Sequence, residues 1–592
     1  MMNPQRILLS SLLLSFLLSV LAADSIIAAD RSGLDNYYKY EERIEWFKDV
    51  KFGIFIHWGL YSQVGYTEWC QNHFEMQAEE YSNLMSTFNP VDYKPDEWAE
   101  LFKNSGAKYV VMTSKHHEGF SMYDTEFSNY NIMNSPYSKD VLGILNGECT
   151  KRGLKFGIYY SIMDWHHEDY LPRRYFDERS AASADSGEYK AFFKNQVGEL
   201  LDKYNPAIMW FDGEWENTHD SLETVELVDM MFRKNPSLIF NNRLSRHGYG
   251  DFKTPENEVP PTGLFKDDGT PEVWETCSTM GEGWGYDPFA NYFYSSRDLI
   301  RMLIDVCSKG GNLLLNVGPT PQGEIRSEHR KRMEDIGKWL DKNGESIFGS
   351  RPSVFERLPF YGKSTTKGNI VFLHVFMPPK DNILRIPLLE NEIISASLLE
   401  GNTELDYVIK NNQIQVQLPN ISIDENAFVV KLELDGKPSV ITYTPRFGKK
   451  ETMIFDGTAA EIISPQRHTI ENIQYYDKIL IKNWNEDNSD VQLKWDFEIE
   501  YDGRYEIMVH CASEKKLRGE IDAIVAIDTS KIKFIIIEKP RWTATNKLLY
   551  EPYNIGEIFM KSGKHSLYIQ ADTLRKKQSI VFKDVQLIPA RH

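Results

Sequence analysis

Four apolar runs in the first half of the chain end in groups that bind hydroxyls or move protons. Phe52–His57 (FGIFIH) leads into His57-Trp58-Gly59, and Tyr109–Thr113 (YVVMT) into Lys115-His116-His117-Glu118-Gly119. Lys155–Ser161 (KFGIYYS) carries Tyr159 and Tyr160 and leads to Asp164-Trp165-His166, and Ala207–Asp212 (AIMWFD) ends as Trp210-Phe211-Asp212-Gly213-Glu214. Side chains two apart on a strand share a face, so Trp210 and Asp212 stand together. An indole beside a carboxylate is the combination a sugar subsite uses: an apolar face for ring C–H groups and a nucleophile or base for the chemistry. Histidine and tyrosine add hydrogen-bond donors and acceptors for hydroxyl groups.

Each of these residues also has an ordinary structural use. A lone strand-end histidine is commonly a packed core group, and an indole alone is commonly core. A single Asp at this place reads as a helix N-cap or a loop ion pair. The His116-His117 pair raises the question of a metal, but adjacent side chains on a strand point to opposite faces, so the pair is not expected to chelate as a unit. No metal site or cofactor is expected. Four such termini in step with one strand pattern, however, form a constellation able to line one pocket.

The elements that must hold this constellation follow from periodicity. Between about Tyr40 and Gly349 short apolar runs alternate with amphipathic helical stretches: Pro95–Asn104, Val141–Arg152, Tyr189–Tyr204 and Ser296–Ser308, with further strands at Leu238–Asn242 and Asn312–Val317 separated by a long loop. Repeated strand–helix units imply an α/β fold with a parallel sheet. The length suits a (β/α)8-like barrel spanning 30–350, in which function gathers at the C-terminal ends of the strands. A doubly wound open sheet competes, but no Gly-rich phosphate loop follows the first strand. After Ser350 the helical period disappears. Short alternating strands predict two all-β sandwich domains, 351–448 and 449–592, the second of a jelly-roll, carbohydrate-binding type.

Composition narrows the partners. The 592 residues carry a net charge of −19, spread along the chain, which disfavours nucleic acid and anionic membrane surfaces. Residues 1–29 have the pattern of a cleaved secretory signal: Arg6, then the apolar run Ile7–Ala23, then small residues. The expected mature chain is secreted or periplasmic with no membrane anchor, its oligomeric state open. Cys70, Cys149, Cys277, Cys307 and Cys511 are odd in number and widely spaced, which fits neither a disulfide framework nor a zinc site. They read as buried free thiols, with one bridge left open.

The segments FGIFIHWGLYS, AKYVVMTSKHHEGF, GLKFGIYYS, IMWFDGEW, GDFKTPE, WETCSTM with GWGY, and GGNLLLNVGPTPQG resemble those of glycoside hydrolase family 29, the α-L-fucosidases. They stand in the family's order. The resemblance implies a barrel catalytic domain, a C-terminal β-sandwich, and retaining release of terminal α-L-fucose from a fucosylated glycan without a cofactor. It places the nucleophile at Asp212 and the fucose-binding groups at His57, His116, His117, Trp210 and Tyr159 (over Tyr160), with Trp69, beside Glu68 in YTEW, as a pocket wall. Such chemistry needs a second, protonated carboxyl group about 5–5.5 Å from the nucleophile. The TPE motif assigns it to Glu256; Glu258, Glu272 and above all Glu275 in VWETC are the alternatives. Glu118 departs from the family's usual HHDGF, and its extra methylene bears on the shape of the pocket. The first loop resembles the broad-specificity branch of the family. An α-L-galactosidase or related 6-substituted-sugar hydrolase on the same scaffold and a non-catalytic glycan-binding protein are the competing functions.

Overall fold

The computed structural model describes residues 39–590 apart from 217–222, 246–249, 261, 267, 356–357, 380, 411–412, 420–423, 425, 442–443, 450, 457–459, 464–470, 476–477, 486–490, 514–519, 537–540, 543–547, 550–551 and 575–578. The signal segment expected at 1–29 lies outside the described residues. Helix α1 (Tyr40–Val50) precedes strand β1 (Phe52–Ile56), and units of helix and strand follow: α2 (Pro95–Asn104) and β2 (Tyr109–Lys115), α3 (Val141–Lys151) and β3 (Lys155–Ser161), α4 (Ser186–Tyr204) and β4 (Ile208–Asp212), α5 (Thr224–Lys234) and β5 (Ile239–Phe240). Then come β6 (Glu275–Thr279), α6 (Ser296–Ser308), β7 (Asn312–Val317) and α7 (Ser327–Asn343).

Local chemistry explains these limits. Helix α2 starts with Pro95 in its first turn, where the missing N–H costs nothing, and buries Trp98, Leu101 and Phe102 on one stripe. Helix α6 opens with a capping box in which Ser295 and Asp298 satisfy each other's backbone N–H groups. Strands β1, β2 and β4 are buried at every residue, as expected for a sheet covered on both faces. Gly53 of β1 is dictated by packing: a Cβ there would lie 2.4 Å from the ring of Tyr109.

The strands form one sheet, ordered β5-β4-β3-β2-β1-β7-β6, and the pairings from β1 to β5 are parallel. The barrel is thus a curled, seven-stranded half-barrel among the described residues rather than a regular eight-stranded one. Two strands depart from expectation. The run Leu238–Asn242 contributes only the two-residue β5, and the expected long loop contains β6. The sequence ETCST of β6 has no apolar run, yet all five residues are buried. A short segment partners both. Phe252 bridges Asn241 just after β5, and Glu256 bridges Cys277 within β6. The approach at its start is so close that a Cβ on Gly250 would stand 2.2 Å from the Asn241 carbonyl oxygen. Next to it Asp251 is held by a buried two-point ion pair with Arg43 of α1, each contact 2.9 Å, and accepts the Phe240 N–H.

Among the described residues the rest of the chain is antiparallel β, apart from one short parallel pairing of Arg446–Phe447 with Glu498–Ile499. Residues 362–434 form a three-stranded and a four-stranded sheet over an apolar core that includes Val371, Leu373, Ile386, Val416 and Leu432. Residues 446–589 form two larger sheets over a separate core that includes Trp484, Leu493, Phe497, Ile507 and Phe582. All five cysteines are buried and free. By compactness the chain divides into two units: residues up to Thr254 with Thr279–Tyr292 and Leu314–Arg330, and Pro255–Ser278 with Phe293–Leu313 and everything from Lys331 onward. Among the described residues no helix is long and apolar enough to cross a membrane.

Candidate active site

The ends of β1 to β4 converge on Asp212. Register pairs Tyr159 with Trp210 and Ser161 with Asp212, so these side chains come forward together while Tyr160 and Phe211 turn to the helical side. Tyr160 donates its hydroxyl to Gln196 of α4, whereas Tyr159 donates to Asp212 Oδ2 at 2.8 Å. Trp210 stacks on Tyr159 with ring centroids 5.6 Å apart and packs against Phe55 of β1 at 5.0 Å.

Asp212 is 8% exposed. Burial works against its charge, but Arg243 approaches Oδ1 to 3.1 Å, and together with the Tyr159 hydroxyl it holds the carboxyl below its ordinary range. Arg243 is itself fixed: Nε donates to the Thr254 hydroxyl at 2.9 Å, a second nitrogen donates to the Thr254 carbonyl, and the guanidinium lies 4.9 Å over the Trp210 ring. The result is a carboxylate that is ionised, desolvated and oriented, the state a nucleophile requires.

The histidines are neutral, and the tautomers of His57 and His117 follow from their partners. Asn316 donates its amide to the Trp284 carbonyl, so its oxygen accepts from His57 Nδ1–H at 2.7 Å. Ser161 donates to the Met163 carbonyl, so its oxygen accepts from His117 Nδ1–H at 2.6 Å. Both rings therefore present an Nε2 lone pair. Burial pushes His57 down to about 4 and His117 to about 3. His117 Nε2 stands 3.6 Å from Asp212 Oδ2, which is too far for a hydrogen bond, and a neutral ring forms no ion pair. His116 lies parallel to Tyr159 at 5.5 Å, and burial drives its pKa well below the usual value.

The histidine pair does not face opposite ways as strand alternation predicts. Strand β2 ends at Lys115, so the alternation does not extend to the pair, and the two rings sit 4.1 Å apart on the same side. Donor atoms of His116, His117 and Asp212 lie within 4.8 Å of one another, so among the described residues these three form a group that could hold a metal ion. The same lone pairs are equally acceptors for hydroxyl protons.

The pocket wall adds Trp69, with its ring 5.2 Å from His117 and 5.1 Å from Trp165. Trp284 packs on His57 at 5.1 Å, and Glu68 accepts the backbone N–H groups of Trp284 and Gly285. Behind His116, Glu118 is 1% exposed; neither carboxyl oxygen has a hydrogen-bond partner, and one stands 3.8 Å from His116 Nδ1. Burial pushes Glu118 up to about 8, so it stays protonated at neutral pH.

Sequence reasoning misses Arg243, Asn316 and Trp284. Arg243 follows the fifth strand at the position where the other strands keep their polar groups, and applying the strand-end rule once more finds it. Among the acid candidates, Glu256 and Glu258 are exposed, Glu272 is half-buried and Glu275 is fully buried. Glu256 is placed by its bridge to Cys277, with Asn257 N–H donating to the Cys277 carbonyl at 2.8 Å. Asp212 and Glu256 fall in different compact units.

The sequence profile of the family described as alpha-L-fucosidase matches residues 28–345. The alpha-L-fucosidase of Dictyostelium discoideum is 32% identical over 411 residues, covering 63% of this chain and 85% of that protein. Among solved structures, alpha-L-fucosidase isoenzyme 1 from Paenibacillus thiaminolyticus is 33% identical with a TM-score of 0.64, covering 67% of this chain and 99% of that one. A GH29 alpha-L-fucosidase from Bacteroides thetaiotaomicron, a covalent intermediate trapped with 2-fluoro-fucosyl fluoride using a Glu-to-Gln mutant, is 28% identical with a TM-score of 0.60, covering 67% and 96%.

Proposed function

This chain belongs to the α-L-fucosidase family, and we propose that it releases terminal α-L-fucose from glycans by double displacement, with Asp212 as nucleophile and Glu256 as acid/base. The observation that carries the reading is the state of Asp212: buried, kept ionised by Arg243, and surrounded by neutral hydroxyl-binding rings. In the first step an Asp212 oxygen bonds to the anomeric carbon while the glycosidic C–O bond breaks and Glu256 gives its proton to the leaving oxygen. In the second, Glu256 takes a proton from water, whose oxygen attacks the same carbon and frees Asp212. Two inversions leave the configuration retained. The Nε2 atoms of His57 and His117 accept sugar hydroxyls, and Trp210 and Trp69 supply apolar walls. The trapped covalent intermediate of the Bacteroides relative supports this route.

Two features support Glu256 over Glu275. Glu275 is the first residue of β6, at the end of a barrel strand opposite to where catalytic groups gather. Glu256 lies two residues beyond Thr254, the residue that anchors Arg243. The basic, apolar and small-residue pattern of residues 1–29 supports the reading that the enzyme is exported. The decisive test is 4-nitrophenyl α-L-fucoside with wild type, Asp212→Asn, Glu256→Ala and Glu275→Ala. Turnover collapses in Asp212→Asn. Azide restores Glu256→Ala, because the aryl leaving group needs no acid and azide replaces base-activated water. Rescue of Glu275→Ala instead reverses the assignment, and no turnover by folded wild type points to the galactosidase or the binding protein.

A further inference from the structure

One large aromatic next to the nucleophile stands in water. Trp215 occupies the short turn Glu214–Glu216, three residues after Asp212, and is 43% exposed. Its ring centroid is 6.0 Å from that of His117, edge to face at 80°. The other rings around this point are not exposed: Trp165, Trp210 and Tyr159 are buried, and Trp69 and Trp284 are half-buried. The turn is pinned from one side. Tyr170 donates its hydroxyl to Glu216 at 2.6 Å, Arg174 pairs with the same carboxylate, and Arg174 is stacked over Trp165 at 5.4 Å. The backbone is thus held while its indole stays in solvent, an arrangement that costs apolar hydration unless a ligand covers the ring.

A pocket that closes around a terminal sugar must let the rest of the glycan out past its rim. We propose that Trp215 is a binding platform for the sugar ring immediately beyond the fucose, taking the C–H-rich face of a pyranoside such as a hexose or N-acetylhexosamine. This rests on the fucosidase reading above. The indole provides the apolar face, and Glu216, Arg174 and Tyr170 form a polar border beside it, the mix of apolar floor and few polar groups that orients a ligand. Trp215 makes no bond to the reacting carbon; it sets which leaving group is held in place.

The test compares two substrates that share fucose and differ in what leaves. α-L-Fucosyl fluoride expels a single atom and reports the fucose pocket alone. A trisaccharide with fucose α-linked to a disaccharide reports the pocket and the platform. Trp215→Ala lowers the ratio of kcat/KM for the trisaccharide to that for the fluoride by about tenfold, whereas Trp215→Phe, which keeps an aromatic face, lowers it less than about threefold. Fluoride turnover by each variant confirms that it is folded. An equal fall on both substrates overturns the proposal and makes Trp215 a support for His117; an unchanged ratio overturns it as well. Wild type that turns over neither substrate defeats the fucosidase reading itself.

Discussion

The stretch from β1 to β4 and the stretch from β5 to β6 belong to one sheet but are built differently. In the first, buried strands hand each functional group to the pocket at a fixed register, and the groups orient one another through short hydrogen bonds. In the second, β5 is two residues long, β6 is polar, and the ordering comes from side chains and single bridges: Arg43 on Asp251, Thr254 on Arg243, and Glu256 bridging Cys277. The nucleophile is positioned by the sheet, while its charge partner and the proposed acid are positioned by a tethered loop. Damage to the two stretches should therefore read differently.

The largest effect is expected at the link between them. Arg243→Leu leaves the carboxylate of Asp212 buried without its main countercharge, and kcat/KM should fall about a hundredfold or more. Because Arg243 holds that pKa down, its loss raises it, so the acid limb of the kcat/KM profile moves to higher pH. A profile that keeps its position would mean that the second stretch has no hold on the nucleophile.

A smaller effect separates the stretches by stability. Gly53→Ala and Gly250→Ala each force a Cβ into occupied space and should each cost about 1–3 kcal/mol in urea unfolding. Only Gly250→Ala displaces the segment that carries Thr254, so only it should also lower kcat/KM severalfold. Equal activity of the two variants would erase the difference between the stretches.

The smallest effect lies behind the first stretch. Glu118 keeps its proton in the fold up to about pH 8, against an ordinary value of 4.5. A raised pKa contributes stability in full below 4.5 that is lost as pH rises through 8. Glutamine cannot ionise, so the Tm of Glu118→Gln should gain on that of wild type by a few degrees between pH 5 and 9. A constant difference would show that Glu118 does not titrate in that range.

The same contrast decides what is legible in the sequence. The strands β1 to β4 can be read because apolar runs broken by polar ends are a periodic signal, and Asp212, Trp210, Tyr159 and His57 stand at such ends. Strand β6 is hidden because burial between neighbours does not require apolar residues when their hydroxyls find backbone partners, as Thr276 does with the Glu258 carbonyl. The facing of His116 and His117 escapes the alternation rule because that rule lapses one residue past a strand end. The proposed acid stands in KTPENE, where the exposed, aperiodic setting of Glu256 and Glu258 distinguishes neither.

Asn316 and Ser161 each fix a ring so that its bare nitrogen looks inward, and the carboxylate beside His117 adds more lone pairs. The pocket is accordingly short of protons where these groups meet. A visitor is admitted by what it brings: each hydroxyl hydrogen it carries satisfies an acceptor, and a deoxy analogue of the same outline leaves one stranded. Discrimination here works by debt rather than by fit, since the wall itself makes the missing atom felt.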